Sequence, residues 1–322
     1  MITIIKPGLQ TTVQDLGRPG KLTLAMPPAG ALDQFAHRVA NALVGNGPDA
    51  ATLEAALMGP TLVSDTGCIV AVTGADVDLI IDGVVHPSWT AVWLPAGSEL
   101  KLGALRSGAR AYIAFAGGID VPVVMGSRST YMLSGIGGFE GRALRAKDVL
   151  PIGRRTRAVE EGRRLPVRHR PTPSSSIEAR IVLGLAAYRF TPESLQAFTE
   201  REYQLSPESN RTGYRFVGEP LEFVEREAPF GAGDNPSNVV SLGYPLGSIQ
   251  VPNGSEPICL LRDAVTGGGF VTLGTVISAD LDLLAQAKAP DRVKFTAVDI
   301  DTALKLRHER TEHIHNAVAA IA

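Results

Sequence analysis

A chain of 322 residues, 44% of them hydrophobic, is long enough for two packed domains of roughly 100 to 200 residues each. Its 31 Lys and Arg nearly balance 33 Asp and Glu, and a formal charge of -2 excludes a whole-chain field able to hold nucleic acid or an anionic membrane, so a neutral small molecule or another protein is the expected partner. The only cysteines, Cys68 and Cys259, sit in the apolar stretches CIVAV and ICLLR, which excludes a disulfide framework and predicts buried thiols in a reducing compartment.

The opening MITIIKPGLQ has no charged region followed by a long apolar one, and no stretch reaches the roughly 18 apolar residues of a membrane span, so a cytoplasmic location is expected. TTVQDLGRPG at 11–20 follows, with Asp15 and Arg18 in a turn-rich loop. Opposite charges so close can hold each other, with Gly17 and Pro19 shaping the turn, or can hold a polar ligand. Residues 31–43 then read as a helix. Beyond it, 34 glycines and 22 prolines in the chain punctuate short Val, Ile, Leu and Ala runs such as those at 68–83 and 109–120. Val77, Leu79 and Ile81 alternate with Asp76, Asp78 and Asp82, the pattern of half-buried strands, and many such strands imply a barrel or sandwich.

Residues 125–144, MGSRSTYMLSGIGGFEGRAL, gather Ser127, Ser129, Gly137, Gly138, Arg128 and Arg142. Glycines let backbone N–H groups approach a ligand and arginines add fixed charge, so this segment is a candidate oxyanion cradle; a plain glycine-rich connection fits the spacing equally well. It carries neither GxxxxGK[ST] nor GxGxxG. From 154 to 176 the pattern dissolves into RRTRAVEEGRRLPVRHRPTPSSS, with seven arginines but no aromatic residue to stack a base, which predicts a solvated connector or a partner-docking edge. The expected division is an N-terminal β domain at 1–155, a connector at 156–176, and a C-terminal β domain at 177–322 ending in a helix. The whole reads as mainly β with a few helices.

In the second half, Thr191 caps a helix at 192–200, a short helix is expected at 280–286, and the terminal one begins near Thr302. Residues 243–269 read as a strand bearing Ser248 and Gln250, a turn at 252–254, a second strand, and a glycine-rich return with Asp263, Thr266 and Gly268. Donors and acceptors facing a glycine bend can recognise a planar amide, and a hairpin with a glycine bulge gives the same pattern. His37 lies in the first helix, His86 and His169 stand alone, and His308, His313 and His315 do not share one helix face, so no metal site is expected. With no GxSxG, HExxH or CxxC, the accessible chemistry is electrostatic stabilisation with acid-base help.

These segments together resemble a known family. TTVQDLGRPG, AGALD at 29–33, LVGNGPDAATLE at 43–54, TGAD at 73–76, AGGIDVPVVMGSRST at 116–130, GIGGFEGRAL at 135–144, SNRTGYRF at 209–216 and GSIQVP at 247–252 are similar, in the same order, to the C-type subunit of 5-oxoprolinase. That family overlaps the allophanate-hydrolase-type domain of urea carboxylase and an antagonist of a sporulation-kinase inhibitor. The resemblance implies a cyclophilin-like β-barrel architecture and two β domains. It also implies partner chains of the B and A types and an ATP-dependent hydrolase that opens a lactam such as 5-oxoproline to glutamate, with ATP bound by or with the partners. Its alternative is a carboxyltransferase that moves a carboxyl group from carboxybiotin, carried by another chain, to urea or a urea-like acceptor. A regulatory protein that antagonises a kinase inhibitor is the reading from another class.

Either reaction puts negative charge on the oxygen of a planar N–C=O unit, so Arg128, Arg142 and Asp15 are the expected catalytic residues. Arg18, Ser129, Gly137, Gly138, Ser248, Gln250, Asp263, Thr266 and Gly268 are the expected substrate-binding set. The chain departs from the family's D-x-Q-T-T-G-G-Y at Val265, which replaces an amide, and at Gly267, which removes a hydroxyl. That change predicts a less polar, or differently held, substrate.

Overall fold

The computed structural model describes residues 1–227 and 230–321. Two compact units emerge, the first from Met1–Arg18, Ala29–Pro173 and Thr311–Ala322, the second from Pro19–Pro28 and Ser174–Arg310.

In the first unit the chain runs β1 (Ile2–Lys6), β2 (Gln10–Gln14), α1 (Gln34–Leu43), β3 (Thr52–Ala56), β4 (Thr61–Ser64), β5 (Cys68–Asp76), β6 (Leu79–Ile81), β7 (Val84–His86), β8 (Ala91–Leu94), β9 (Glu99–Leu102), β10 (Ser107–Phe115) and β11 (Val149–Leu150). They form two sheets, ordered β11-β1-β4-β9-β6-β7 and β2-β3-β10-β5-β8. Ile4, Leu62 and Leu100 of one sheet and Leu53, Val72 and Ile113 of the other share one core. The second sheet is buried on its other face as well, where Phe35, Val39 and Leu43 of α1 pack on Ile69, Ala71 and Ala114. Double coverage explains why β5 and β10 are apolar nearly throughout rather than alternating. Each large aliphatic side chain so buried contributes about 1.5–3 kcal/mol.

Helix α1 starts later than expected. Leu32 N–H donates to Glu54 Oε2 at 2.9 Å and Asp33 N–H to Tyr112 Oη at 2.8 Å, so these backbone donors are satisfied outside the helix. Asp33 then caps it by accepting from Ala36 N–H at 2.8 Å.

Both edges of the second sheet are covered by irregular chain. Along β2, Thr130 N–H donates to Val13 O at 2.9 Å and Leu144 N–H to Thr11 O at 2.8 Å. Along β8, Ala91 N–H donates to Arg163 O at 2.7 Å, Gly162 N–H to Ala91 O at 2.8 Å and Leu165 N–H to Trp89 O at 3.0 Å. Within the arginine-rich stretch, therefore, residues 162–165 serve as edge cover, and Leu165 is fully buried.

The second unit comprises β12 (Ser176–Leu183), α2 (Pro192–Glu200), β13 (Glu202–Leu205), β14 (Gly213–Val217), β15 (Asn238–Gly243), β16 (Ser248–Gln250), β17 (Ile258–Leu260), β18 (Gly267–Phe270), β19 (Thr272–Val276), α3 (Leu281–Ala285) and β20 (Arg292–Ala297). Seven strands close a barrel in the order β12-β19-β16-β17-β14-β13-β20, as the resemblance implied, and β15 pairs with β18 separately. Phe295 fills the barrel interior, stacked on Phe198 at 5.0 Å and edge-on to Phe216 at 5.2 Å. Thr191 caps α2 by accepting from Ser194 N–H at 3.2 Å, as its sequence predicts. The last helix, α4 (Ile300–Ala319), begins two residues before the expected Thr302. Among the described residues no helix is long and apolar enough to cross a membrane. Cys259 is buried and its thiol pushed up to about 12, while Cys68, expected to be buried, is only half-buried because it begins its strand.

Candidate functional site

The loop after β2 and the segment 127–138 meet on the carboxylate of Asp15, which is 7% exposed. Its Oδ1 accepts from Ser127 Oγ at 2.6 Å, Ser129 Oγ at 2.5 Å and Gly17 N–H at 2.8 Å. Its Oδ2 accepts from Arg128 N–H at 2.5 Å. Bonds to a charged acceptor contribute about 1.5–3 kcal/mol each, so this carboxylate is a strong fastener between two segments far apart in sequence. Arg18 is buried alongside and donates from Nη2 to Ser129 O at 2.6 Å.

Gly137 and Gly138 fit against the same turn for a steric reason. Both have positive φ, and a Cβ would lie 2.2 Å from Ser129 O at Gly137 and 1.9 Å from Thr130 Oγ1 at Gly138. The Gly138 N–H donates inward to Arg128 O at 3.1 Å and the Gly141 N–H to Gly137 O at 2.9 Å. Glycine here permits close backbone packing behind Arg128, and the segment does not offer those two N–H groups to a phosphate.

Fixed in this way at its backbone, Arg128 projects to the rim of a cavity of about 390 Å³, which it lines with Asn46, Asp49, Gly118, Asp120 and Arg154. Its Nε donates to Val121 O at 2.9 Å and its Nη2 to Asp120 Oδ1 at 3.0 Å, which sets the plane of the guanidinium. The opposite wall is braced from behind. Asn46 donates to Phe115 O at 2.9 Å and accepts from Gly117 N–H at 2.8 Å, while Asn41 donates to Ala50 O at 2.8 Å. His37 reinforces this wall, with Nδ1 3.0 Å from Thr52 Oγ1 and Nε2 3.2 Å from Pro48 O; burial lowers its pKa to about 4.

Arg142 is engaged elsewhere. Asp148 holds it through both carboxylate oxygens at 2.7 and 2.9 Å, Glu140 Oε2 accepts two further bonds, and its guanidinium lies 5.4 Å from the Phe139 ring centre. These carboxylates raise its pKa further and Arg142 lowers that of Asp148.

The remaining expected residues belong to the second unit. Asp263 forms a buried two-pronged pair with Arg211, at 2.8 and 2.9 Å, both side chains being 4% exposed. Ser248 is buried and donates to Pro245 O at 2.7 Å, whereas Gln250 is half-buried. Thr266 O accepts from Tyr244 N–H at 2.9 Å, and Gly268 leaves room for the Tyr244 ring, whose carbon Cε2 would stand 2.9 Å from a Cβ. Val265 is 52% exposed, and a Cβ on Gly267 would lie 3.0 Å from Leu242 O.

Asp15, Arg18, Arg128, Ser129, Gly137 and Gly138 are thus brought together, and Arg142 turns to its own carboxylates. Sequence reasoning missed Asn46, Asp49, Asp120 and Arg154 of the cavity. Asn46, Asp49 and Asp120 stand in the segments LVGNGPDAATLE and AGGID, where an asparagine and two aspartates beside glycines were the available signal. Arg154 was absorbed into a basic run.

Residues 24–297 match the family model described as carboxyltransferase domain, subdomain A and B. The chain is 38% identical over 316 residues to the C-type subunit of 5-oxoprolinase from Escherichia coli, covering 97% of this chain and 96% of the relative. It is 33% identical over 317 residues to urea amidolyase of Saccharomyces cerevisiae, covering 96% of this chain but 17% of that protein. Among solved structures, Kluyveromyces lactis urea amidolyase aligns with a TM-score of 0.92 at 30% identity, over 98% of this chain and 20% of that one. The chain therefore spans about a fifth of that much larger protein.

Proposed function

Since this chain belongs to the carboxyltransferase subdomain A and B family, we propose that it works as the C-type subunit of an ATP-dependent 5-oxoprolinase, which opens a lactam such as 5-oxoproline to glutamate. The observation that carries this reading is end-to-end correspondence with the C-type subunit of a known 5-oxoprolinase, whose own length is 96% covered. Chains of the A and B types complete the assembly, and the chain alone turns over no 5-oxoproline.

Resonance makes a lactam carbonyl a poor electrophile, and ATP hydrolysis supplies the drive that opens it. The glycine segment at 137–141 does not suit a triphosphate, because the Gly138 and Gly141 N–H groups bond to Arg128 O and Gly137 O. ATP is bound by or with the partner chains in this reading. Arg128 is given the charge that develops on the N–C=O oxygen, because its guanidinium is oriented by Val121 O and Asp120 at a cavity rim. Asp15 and Ser129 position it, Arg18 secures Ser129 O, and Gly137 and Gly138 allow the close approach behind it. Arg142 is the second choice for charge stabilisation. In the second unit, Arg211 fixes Asp263 and the Tyr244 ring packs on Gly268, so these residues are given a structural role there.

The alternative reading is carboxyl transfer from a biotin carried on another chain to urea or a related nitrogen. It is favoured by the description of the family model and by the alignment with urea amidolyase at a TM-score of 0.92. The test is ATP hydrolysis by the full assembly, with and without 5-oxoproline. Stimulation by 5-oxoproline supports the hydrolase. Its absence, together with transfer of labelled carboxyl from carboxybiotin to urea, overturns it in favour of the transferase.

A further inference from the structure

His169 and His313 stand far apart in sequence, yet both belong to the first unit and their rings meet at 6.0 Å, tilted by 48°. His313 also stacks on Phe35 of α1, with ring centres 5.3 Å apart and planes within 18°. It lies one turn before Ala317, which is fully buried and shares a core with Phe35, Leu165 and Ile321. The end of α4 is thus docked on α1 and the connector partly through two imidazoles, the side chains whose charge changes near neutral pH.

Burial lowers the pKa of His313, and the neighbouring His169 lowers it further. The surrounding elements carry a surplus of positive charge. The connector brings Glu160, Glu161, Arg163, Arg164, Arg168 and Arg170, and α1 brings Arg38. In the shared core, Tyr112 of β10 is bonded to Glu54. On α4 itself Glu309 pairs with Lys305 and Arg310 with Asp282, and Glu312, His308 and His315 are the other titratable side chains within five residues of His313. A lowered imidazole pKa means that the docked end binds fewer protons than the released one. Docking is therefore complete above about pH 6.5 and weakens as pH falls through the lowered value.

We infer that this contact is an acid-sensitive latch: with His169 and His313 neutral the end of α4 stays on α1, and with both protonated it opens more often and bares Phe35. Asn41, which braces the cavity wall, is also on α1, so the latch and the candidate site share one helix. His37 on that helix titrates near 4 and lies outside the pH window of the latch.

The repulsion of two unit charges about 6 Å apart in a water-rich setting amounts to roughly threefold to tenfold in an equilibrium. The test is hydrogen–deuterium exchange of the full chain at about pH 7.5 and about pH 5.5, read as protection factors so that the intrinsic pH dependence of exchange divides out. Protection of residues 311–321 should fall by roughly that factor, and protection of α2 in the second unit should fall by less. His313→Phe keeps a ring on Phe35 and removes the charge, so the fall should vanish, and His169→Gln should leave a smaller one. An undiminished fall in either variant, no fall in the parent chain, or a fall as large in α2 would overturn the inference. Should His313→Phe lose protection already near neutral pH, His169→Gln decides alone.

Discussion

Replacing Asp15 with Asn tests whether its carboxylate fastens the site or acts on the ligand. One oxygen of Asp15 accepts from two hydroxyls and the Gly17 N–H, and the other accepts from the Arg128 N–H. Asparagine has one acceptor oxygen, so in either orientation its NH2 group opposes a backbone N–H. A buried donor left bare costs about 1–3 kcal/mol, and the surviving bonds lose their charge assistance, for a total of about 2–4 kcal/mol. A unit of 150–250 residues loses about 2–4 °C per kcal/mol, so the unfolding transition of the first unit should fall by roughly 5–15 °C. Scanning calorimetry on the full chain reads that shift, and 5-oxoproline-dependent ATP hydrolysis by the full assembly at a temperature below both transitions reads the function. The expected result is a lowered transition with reduced turnover, because Arg128 loses its backbone anchor. An unchanged transition with lost turnover would refute the fastening role and put Asp15 on the ligand; no change in either would mean the network holds nothing.

Arg128→Ala should lower turnover about a hundredfold or more while the melting temperature stays within a few degrees, as measured on the same assembly. Asp263→Ala should destabilise the barrel unit by about 3–5 kcal/mol, because it leaves the buried Arg211 guanidinium without its carboxylate; a small shift in urea unfolding would count against a structural pair. His37 is neutral in the fold, with a pKa near 4 against 6.5 when unfolded, so its contribution of roughly 3 kcal/mol is present above pH 6.5 and lost as pH falls toward 4. Urea midpoints measured across that window should decline, and His37→Gln should flatten the decline.

The strands were legible because their chemistry is local. Alternation marked Val77, Leu79 and Ile81 as inward-facing, and Thr191 with Pro192 announced α2. The start of α1 was not, because Leu32 and Asp33 find acceptors at Glu54 and Tyr112, which lie on strands only the fold brings near. The same limit applies to the site. Asp15 and Arg18 read as a pair with each other or with a ligand, yet beyond the local Gly17 N–H both bond to the segment around Ser129, 110 or more residues away. Gly137 and Gly138 suggested a cradle by composition, and their geometry has more to do with crowding against Ser129 and Thr130. Arg154 and Asp49 share a cavity but no motif, and only topology relates them.

The segment that carries Arg128 also lies along β2, with Thr130 and Leu144 donating to Val13 O and Thr11 O. A strand edge without such cover is a template for pairing with a second chain. Any change that frees this segment therefore uncovers a sticky ribbon as well as loosening an arginine, and such variants should self-associate during expression. Yield from cells and specific activity of the soluble fraction would then fall for one cause, and an organism carrying such an allele would lose the protein to aggregates and proteolysis before it lost the chemistry.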